Sequence, residues 1–426
     1  MRNGKDGAWS GGGSSTELGR RDFLVQAASV VGAVALMPDV LPAAPVIRGA
    51  PMRVAVVGLG RQGRAIIAEL GKIEATSVAA LCDSDPSRLE AGVRRSNGAA
   101  GYADHRALLE KAADFDAIII ATPTHLHKEI ALAALAAGKH VYCEAPLAHT
   151  IEDAEAIAKA ARGSKSIFFS GLDARSNPVY ALARGFFRTD AVRDTVSLHA
   201  RWHQKNSWRI PASEPAREKA FNWRLDKELS IGLPGELGTI QIDVFNWYTE
   251  KFPVRVMGAG SIRFHKDGRE VHDTTAATFV YPDGLTLTLE HTLANSYQGR
   301  FEVLHGSNAA IRLAATHGWM FKEADAPTQG WEVYANRQQF HRDEGITLIA
   351  GATKLAEQGK LKEGVGLPNS PLWYALADFV RSVTEGKPPA SSAGDGFRAT
   401  AMGILANRAI TTGSVIEIDP KMLQSV

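Results

Sequence analysis

The sequence lacks the features that several protein classes require. Two cysteines in 426 residues, Cys82 and Cys143, are too few for a disulfide framework or a cysteine-rich zinc site. The formal net charge is only +2, and no run is rich in lysine and arginine, which argues against a nucleic acid partner. No apolar run reaches the ~18–20 residues of a membrane span, and no His, Asp and Glu cluster has metal-ligand spacing.

Residues 1–50 have the composition of an export signal followed by a linker. Arg20-Arg21 precede Phe23-Leu24 and a moderately apolar stretch from Val25 to Met37, a pattern that resembles a twin-arginine (Tat) signal. Tat substrates cross the membrane folded, so we expect a periplasmic or secreted protein that carries a bound cofactor with it. An uncleaved signal would leave the protein anchored to the membrane, and the alternative is a flexible tail with a chance arginine pair.

A glycine-rich loop follows the first apolar run. Residues 53–57 have strand propensity, and the pattern from Arg64 to Leu70 is helical. Between them, Gly58 permits a tight turn, Gly60 lets a pyrophosphate approach the backbone, and Gly63 lets the helix pack on the strand. This setting predicts a dinucleotide-binding loop.

The second predicted strand ends at Asp83, 20 residues after Gly63. A carboxylate at this spacing accepts hydrogen bonds from the adenosine ribose, which favours NAD over NADP because a 2′-phosphate would face a carboxylate. The alternative for Asp83 is a solvated turn residue. Arg61 and Gln62, inside the glycine loop, are expected to contact the same cofactor.

Strands and helices continue to alternate up to residue 171, which predicts a doubly wound parallel sheet over residues 51–171. Ligands of such sheets bind beyond the carboxyl ends of the strands. The residues expected there, beside the cofactor, are Thr122, Pro123, His125, His127, Glu144 and Pro146. For His127 the alternative is a role in capping the helix that follows.

Residues 172–426 have a different pattern. Residues 195–202 alternate, with Trp202 on the apolar face, and turn signals such as Pro282-Asp283-Gly284 separate further strands. Helical patterns cover residues 371–383 and 396–410. We therefore predict a C-terminal α+β domain, for substrate binding and oligomerisation, with an antiparallel sheet that is open on one face.

Together these segments resemble the Gfo/Idh/MocA oxidoreductases over roughly residues 52–419. The resemblance rests on residues 56–60 (VVGLG), 81–86 (LCDSDP), 121–127 (ATPTHLH), 140–146 (HVYCEAP) and 234–243 (PGELGTIQID). Residues 202–209, 221–223 and 295–297 are similar to exported, sugar-acting members. The resemblance implies NAD(H), bound tightly, a carbohydrate-like substrate, and a homo-oligomer formed through the open sheet face.

Two positions depart from the family pattern. The family has Glu-Lys-Pro where this chain has Glu144-Ala145-Pro146, and its usual acid/base histidine corresponds to Ile240, although Asp243 remains. Neither alanine nor isoleucine can move a proton, and general acid–base catalysis typically contributes ~10²–10⁴-fold. The sequence therefore predicts a non-standard or lost acid/base pair.

Candidate replacements come from the second half of the chain. Asp243, His203 and Tyr180 are the catalytic candidates. The alternatives are substrate orientation or helix capping for Asp243, and a substrate hydrogen bond or a rim position for His203. Tyr180 follows Asn177-Pro178 near the domain junction, where the resemblance implies substrate contacts. The substrate-binding candidates are Trp208, Arg209 and Glu236. For these three the alternatives are sheet core, a surface salt bridge and a helix-start carboxylate.

Three functions follow from these residues. The first is an NAD-dependent oxidoreductase of a sugar, polyol or glycoside in the periplasm. The second is a non-catalytic NAD- or sugar-binding subunit that serves a partner protein. The third is a glycoside hydrolase or lyase that uses tightly bound NAD transiently, a cycle that needs no free cofactor.

Overall fold

The computed structural model describes most of the chain after residue 49. The described residues are 50–426 without 97, 190, 330–331, 333–334, 341–342, 351–354, 356–357, 359 and 361–364. The predicted twin-arginine signal lies outside this range. None of the helices in the described part has the length and apolar character needed to cross a bilayer.

In the described chain, the first half forms a parallel sheet of six strands in the order β3-β2-β1-β4-β5-β6. The strands are β1 Met52–Val57, β2 Thr76–Cys82, β3 Ala100–Tyr102, β4 Ala117–Ile120, β5 His140–Glu144 and β6 Phe168–Gly171. The crossover helices are α1 Arg61–Leu70, α2 Pro86–Arg95, α3 His105–Leu109, α4 His127–Ala136 and α5 Ile151–Gly163. The predicted doubly wound sheet is confirmed.

Helices cover both faces of this sheet, so its central strands are buried on both sides. All four residues of β4 are buried, and β1 is buried except at Arg53, which explains why these strands are continuous apolar runs. A later helix, α10 (Pro371–Glu385), supplies Leu376 and Phe379 to the same core. A single domain boundary at residue 171 would therefore place α10 in the second domain, although α10 packs in the core of the first.

The second half, as described, forms a sheet of ten strands in the order β14-β15-β13-β12-β11-β7-β10-β9-β8-β16. The strands are β7 Thr195–His203, β8 Arg255–Ser261, β9 Thr274–Val280, β10 Thr286–Thr292, β11 Arg300–Gly306, β12 Ala309–Ala314, β13 His317–Lys322, β14 Arg337–Phe340, β15 Asp343–Thr347 and β16 Ile416–Glu417. All neighbours pair antiparallel except β7 and β10, which run parallel. The sheet is thus mixed, with β7 at its centre.

Helices pack against one face of this sheet: α6 Pro178–Phe187, α8 Gly232–Glu236, α9 Gly238–Thr249 and α11 Ala393–Thr412. Two shorter helices, α7 Pro215–Phe221 and α12 Pro420–Leu423, belong to the same half of the chain. On β7 the buried positions Leu198 and Ala200 alternate with the half-buried Ser197, His199 and Arg201. Because successive strand side chains point to opposite faces, these half-buried residues lie on the face away from the helices. The predicted open face is therefore present.

Candidate functional site

The glycine loop joins β1 to α1 by close backbone contacts. Gly58 has φ +93°, and a Cβ atom there would lie 2.6 Å from the carbonyl oxygen of Ala121. At Gly63 a Cβ atom would lie 1.8 Å from the carbonyl oxygen of Gly58. Both positions therefore require glycine, because any side chain would force the loop away from the strand ends.

Gly60 has a different reason to lack a side chain. A Cβ atom there would meet only the Arg88 guanidinium, at 3.8 Å. Gly60 caps α1 without any side-chain hydrogen bond, so its first-turn amides remain available to an anion. Beside the loop, the buried Oγ1 of Thr122 has no hydrogen-bond partner. These features fit the pyrophosphate of a dinucleotide, with Arg61 exposed on the first turn.

Asp83 follows β2 and binds the glycine loop through its carboxylate. Its Oδ2 accepts a hydrogen bond from the Leu59 amide at 2.7 Å, and its Oδ1 accepts one from the Asp85 amide at 2.8 Å. Each carboxylate oxygen has capacity for a second hydrogen bond. The predicted ribose contact thus stays a prediction, while the observed role of Asp83 is to fix the loop.

A segment of the second domain, residues 209–222, reaches the adenosine side of the crevice; we call it the strap. Arg217 of the strap pairs with Asp85 at 2.6 Å and donates to Ser87 Oγ at 2.6 Å. Arg88 stacks over the Phe221 ring at 3.7 Å. Burial alone would raise the pKa of Asp85, but the hydrogen bonds from Arg217, Ser87 and the Arg88 amide lower it to about 2.

Arg209, predicted to bind substrate, instead anchors the strap. Its guanidinium bonds the Asp267 carboxylate at 3.1 Å, the Asp267 carbonyl oxygen at 2.7 Å and Glu218 at 3.0 Å. All three guanidinium nitrogens are therefore engaged within the second domain. This corrects the prediction, because Arg209 has its donors committed to strap contacts.

His127 lies beneath the crevice. It is buried, with Nε2 at 3.0 Å from the Thr122 carbonyl oxygen and Nδ1 at 3.0 Å from that of Pro146. Burial lowers the pKa of His127 to about 4, so the ring is neutral and its single N–H donates to one of these two carbonyl oxygens. His127 thus fills the space between the ends of β4 and β5, beneath the predicted cofactor loops.

Glu144 ends β5 at the floor of the crevice. Its Oε1 accepts a hydrogen bond from Gln62 Nε2 at 3.0 Å, which joins the glycine loop to β5. Burial raises the pKa of Glu144 to about 7, and the nearby Asp173 carboxylate adds to the rise. Asp173 is half-buried, and its pKa is raised by desolvation although Arg300 lies 3.8 Å away. Glu144, at the crevice floor, can therefore carry a proton near neutral pH.

The two domains meet at Thr124, which follows Pro123 after β4. Thr124 Oγ1 lies 3.5 and 3.4 Å from the two carboxylate oxygens of Glu236, at the end of α8. Arg224 Nε lies 3.4 Å from Glu236 on the other side. Burial raises the pKa of Glu236, and the charge of Arg224 opposes that rise. Glu236 is thus placed where the ends of the parallel strands face the second domain.

Aromatic and imidazole rings surround this junction. The Arg224 guanidinium lies 4.4 Å from the Trp223 ring centroid and 5.6 Å from that of Trp208. His125 packs edge-on against Trp223 at 5.8 Å and against His149 at 6.1 Å. Both histidines have a buried Nδ1 without a hydrogen-bond partner. The junction therefore combines aromatic rings with polar atoms that have no hydrogen-bond partner, which suits a ligand of carbohydrate character.

Asp243, the remaining carboxylate of the family motif, is committed elsewhere. Arg175 bonds it through Nε at 2.8 Å and Nη2 at 2.9 Å, and Arg175 also reaches Asp395 at 3.1 Å. The pair lines a separate cavity of about 470 Å³ together with Trp247 and Arg398. This corrects Asp243 as a catalytic candidate, because a carboxylate held by both arms of a guanidinium is a structural partner.

The other two catalytic candidates also lie outside the crevice. Tyr180 is buried on α6, donates to Glu302 at 2.6 Å and accepts from the Ala315 amide at 3.2 Å. Burial holds the pKa of Tyr180 well above its usual value. His203 ends β7 one position after Trp202, which packs on the helix side, so the alternation places His203 on the open face. The structure therefore brings neither side chain into the crevice.

Sequence reasoning missed Arg224, His149, Asp173 and Arg300 as residues of the crevice. Arg224 directly follows residues 221–223 (FNW), a segment that carries part of the family resemblance, so its position was the available signal. His149 lies three residues after Pro146. Asp173 and Arg300 have no local motif, since they meet only through the fold.

Comparison with protein families and relatives agrees with this geometry. Residues 52–172 match the model of the GFO/IDH/MocA oxidoreductase family with its NAD-binding Rossmann fold, and residues 179–312 match the model of the GFO/IDH/MocA C-terminal domain. Together the two segments make up more than half of the chain. NAD is therefore the cofactor that the glycine loop accommodates.

Two curated relatives are similar to part of this chain. A levoglucosan dehydrogenase from Pseudarthrobacter phenanthrenivorans is 29% identical over 40% of this chain and 42% of its own length. An inositol 2-dehydrogenase from Pseudarthrobacter chlorophenolicus is 35% identical over 38% of this chain and 47% of its own length. The matched part thus spans less than half the length of these relatives.

The fold itself is similar over the full length of solved structures. Levoglucosan dehydrogenase in complex with NADH and L-sorbose superposes with a TM-score of 0.70 at 20% identity, covering 87% of this chain and 100% of that one. Aldose-aldose oxidoreductase from Caulobacter crescentus gives 0.67 at 19% identity, covering 86% and 100%. With both domain models matched in order on one chain, the protein belongs to the GFO/IDH/MocA family of NAD-binding oxidoreductases.

Proposed function

We propose that the protein is an NAD-dependent oxidoreductase that transfers a hydride from a sugar, polyol or glycoside in the periplasm, after export by the twin-arginine route. We propose further that it does so without the family's usual lysine and histidine. Relatives that act on levoglucosan and inositol support the substrate class.

The observation that carries this proposal is the junction of Thr124 with Glu236. It brings a carboxylate of the second domain to the strand ends that border the cofactor loop, at 3.4 and 3.5 Å. A ligand held there would lie between the two domains, where family folds place substrate against cofactor. The half-buried Trp208 offers a ring face to the C–H surface of such a ligand, whereas Trp223 is buried beneath Arg224.

The residues of the crevice divide the work of binding. The backbone of residues 58–63 would hold the pyrophosphate, Asp83 the adenosine ribose, and Thr122 and Glu144 the end nearer the substrate. Bound NAD⁺ supplies the hydride acceptor. The chain itself supplies the proton acceptor, the donors that orient the hydroxyl, and the ring faces that exclude water.

Two residues support the proposal that the family's acid/base pair is missing. Ala145 directly follows β5, and Ile240 lies in the first turn of α9; neither can accept or donate a proton. Both are partly exposed, so their positions face solvent-accessible space and not closed core. Other groups of the crevice must therefore handle the hydroxyl proton.

Retention of the cofactor follows from the export proposal, because the periplasm offers no nicotinamide pool. The strap supports it: the contacts of Arg217 with Asp85 and of Phe221 with Arg88 join the second domain to the adenosine side of the crevice. A cofactor bound beneath them would leave only when the strap opens. Release would then be slow.

A homo-oligomer formed through the open face of the ten-stranded sheet completes the proposal. On that face β11 carries Phe301, which is buried beneath Arg201 and Arg312, and β13 carries the half-buried Trp319 and Phe321. A second copy of the chain would cover the remaining ring surface. Sedimentation of the wild-type protein and of a Trp319→Glu variant tests this: dissociation of an oligomer is expected, whereas an unchanged monomer would contradict it.

The main experiment starts from protein purified in its folded state from the exported fraction. Denaturation followed by absorbance and mass measurement identifies the released nucleotide. Stoichiometric NAD(H) is the expected result, and an empty protein that binds added NAD reversibly would contradict retention. Oxidation of levoglucosan, myo-inositol, glucose and glycosides is then followed as NADH.

The outcomes separate the three functions. Substrate-dependent formation of NADH supports the oxidoreductase. Release of an aglycone without net change in the NAD spectrum would favour a glycoside hydrolase or lyase, and sugar binding without any turnover would favour a binding subunit. Ala145→Lys with Ile240→His should raise a slow wild-type rate by up to ~10²–10⁴-fold if the lost pair limits it.

A further inference from the structure

Arg224 lies 3.4 Å from Glu236, and its charge also acts on Glu144, the carboxyl group that ends β5. We propose that Arg224 is a catalytic residue: its guanidinium donates hydrogen bonds to the reacting hydroxyl of the substrate, and Glu236 accepts the hydroxyl proton. This inference rests on the proposed oxidoreductase function and names the groups that replace the family's lysine and histidine.

The contact geometry distinguishes this pair from an ordinary salt bridge. Arg224 Nε is 3.4 Å from Glu236 Oε2, longer than a charge-assisted hydrogen bond of about 2.7–2.9 Å. The Glu236 side chain is 1% exposed, whereas that of Arg224 is 46% exposed. A buried carboxylate thus faces a guanidinium whose remaining donors are open to a ligand.

Arg224 is nevertheless held in place. Its guanidinium lies over the Trp223 ring at 4.4 Å and near the Trp208 ring at 5.6 Å. Cation–π contacts of this kind contribute about 0.5–2 kcal/mol and orient the planar group. The exposed donors of Arg224 are therefore fixed in direction, as a group that meets a reacting atom must be.

The charges around the pair come from both domains. Glu236 faces Arg224 and Thr124, and the charge of Arg224 also acts on Glu144, at the end of β5. Next to Glu144 lies Asp173. Beyond Trp223 lie the His125 and His149 rings, and Asp226 acts on His125. The charge of Arg224 thus acts on both Glu144 and Glu236, and Glu144 directly precedes Ala145, which stands at the position of the family's lysine.

The chemistry balances with these two side chains. The Glu236 carboxylate takes the proton of the substrate hydroxyl and becomes a carboxylic acid, the C–H bonding pair leaves the carbinol carbon as hydride for the bound nicotinamide, and a carbonyl forms. Arg224 remains a cation throughout, as arginine guanidinium groups do in proteins. It stabilises the negative charge that develops on the oxygen. Glu236 then returns the proton to solvent.

The test compares four single variants in the full-length protein: Arg224→Gln, Arg224→Lys, Glu236→Gln and the control Lys227→Gln. Lys227 lies three residues from Arg224, is exposed, and pairs with Glu270 at 3.1 Å. The control therefore removes the same charge from the same segment, away from the crevice.

The first measurement needs neither cofactor nor substrate. Carboxyl groups with raised pKa bind protons more tightly in the folded state, so stability falls as the pH rises through their range. Removing the Arg224 charge raises these pKa values further. In Arg224→Gln the fall in Tm from pH 5 to pH 8 should exceed that of Lys227→Gln by about 2–4 °C. Equal falls would overturn the inference.

The second measurement is the pH profile of oxidation for whichever of levoglucosan, myo-inositol and glucose the wild type accepts. Arg224→Gln should lower kcat by about 10²–10³-fold and shift the acid limb of kcat/KM to higher pH. In Arg224→Lys the acid limb of kcat/KM should stay at its wild-type pH, and in Glu236→Gln the acid limb should disappear. If the pH profile of Arg224→Gln equals that of Lys227→Gln, the inference is overturned while the proposed function stands. If the wild type oxidises none of the probes, the proposed function is overturned, and the inference with it.

Discussion

Glu236 and Asp243 lie seven residues apart on consecutive helices, and each faces an arginine, yet the two pairs have different surroundings. Asp243 is gripped by both arms of Arg175 at 2.8 and 2.9 Å, with both side chains buried. Glu236 meets Arg224 at 3.4 Å, and the arginine is half exposed. A closed pair stabilises the fold, whereas an open pair leaves donors and acceptors available for chemistry.

Closed and open surroundings also distinguish the glycines of the cofactor loop: Gly63 is tightly packed, whereas Gly60 is open. Of all the substitutions, we expect one at Gly63 to have the largest effect. Gly63→Ala would place a methyl group 1.8 Å from the Gly58 carbonyl oxygen, so NAD affinity should fall by at least about 100-fold and the cofactor-free Tm should fall as well. Fluorescence titration with NADH and thermal unfolding measure both.

Gly60→Ala is the matched control, because its methyl group meets only Arg88, at 3.8 Å. The cofactor-free Tm should stay close to wild type while NAD affinity still falls, since the methyl group lies on the open side of the loop. Wild-type affinity in Gly60→Ala would show that the pyrophosphate takes another path.

Asp243→Ala should give the next largest effect. Removing one partner of a buried ion pair costs up to about 3–5 kcal/mol, and here Arg175 loses its bidentate partner and keeps only Asp395, at 3.1 Å. Urea unfolding measures it. Asp116→Ala, which breaks the exposed pair with Arg53, is the control and should cost about 0–1 kcal/mol. A stable Asp243→Asn variant that loses turnover would restore Asp243 as a catalytic residue.

Glu144 provides a pH-dependent test of an open carboxyl group. Its pKa is about 7 in the folded protein against a usual value near 4.5, so the folded state gains a proton as the pH falls through this window. Stability should therefore decline by about 1–3 kcal/mol from pH 4.5 to pH 7. Glu144→Gln should remove this decline, and Glu155→Gln, at a surface carboxylate with a lowered pKa, should not.

Arg217→Ala should give the smallest effect on stability, about 0–1 kcal/mol, because the pair with Asp85 is partly exposed. Its effect should appear in kinetics: NADH release in stopped-flow fluorescence should quicken about five- to tenfold. Since the pKa of Asp85 is about 2, the acceleration should be constant from pH 5 to pH 8. Arg94→Ala, on the adjacent helix α2, should release NADH at the wild-type rate.

Much of the cofactor crevice could be predicted from the sequence. Parallel strands deliver their carboxyl ends to one edge, so the positions of Gly58–Gly63, Asp83 and Glu144 follow from locating the strands. The fold class followed in the same way. His127 shows the limit, because which way a ring at a strand end points depends on the carbonyl groups of a second loop.

The substrate side could be predicted only in part. Strand alternation with Trp202 on the apolar face already places His203 on the opposite face, so the position of His203 could have been predicted from the sequence. The ion pairs of Arg224 with Glu236 and of Asp243 with Arg175 could not, because they depend on how α8 and α9 pack against segments far away in the chain. The sequence shows which residues are charged, but it does not show which of them form pairs.

The central place of β7 has a consequence for the way the chain is made. Its two neighbours, β10 and β11, are synthesised only when residues 286–306 emerge, long after residues 195–203. Until then both edges of β7 offer unpaired backbone groups, which other chains can join. Such non-local pairing is slow. For a protein proposed to cross a membrane folded, the interval before β10 and β11 arrive is when a chaperone would have most to protect.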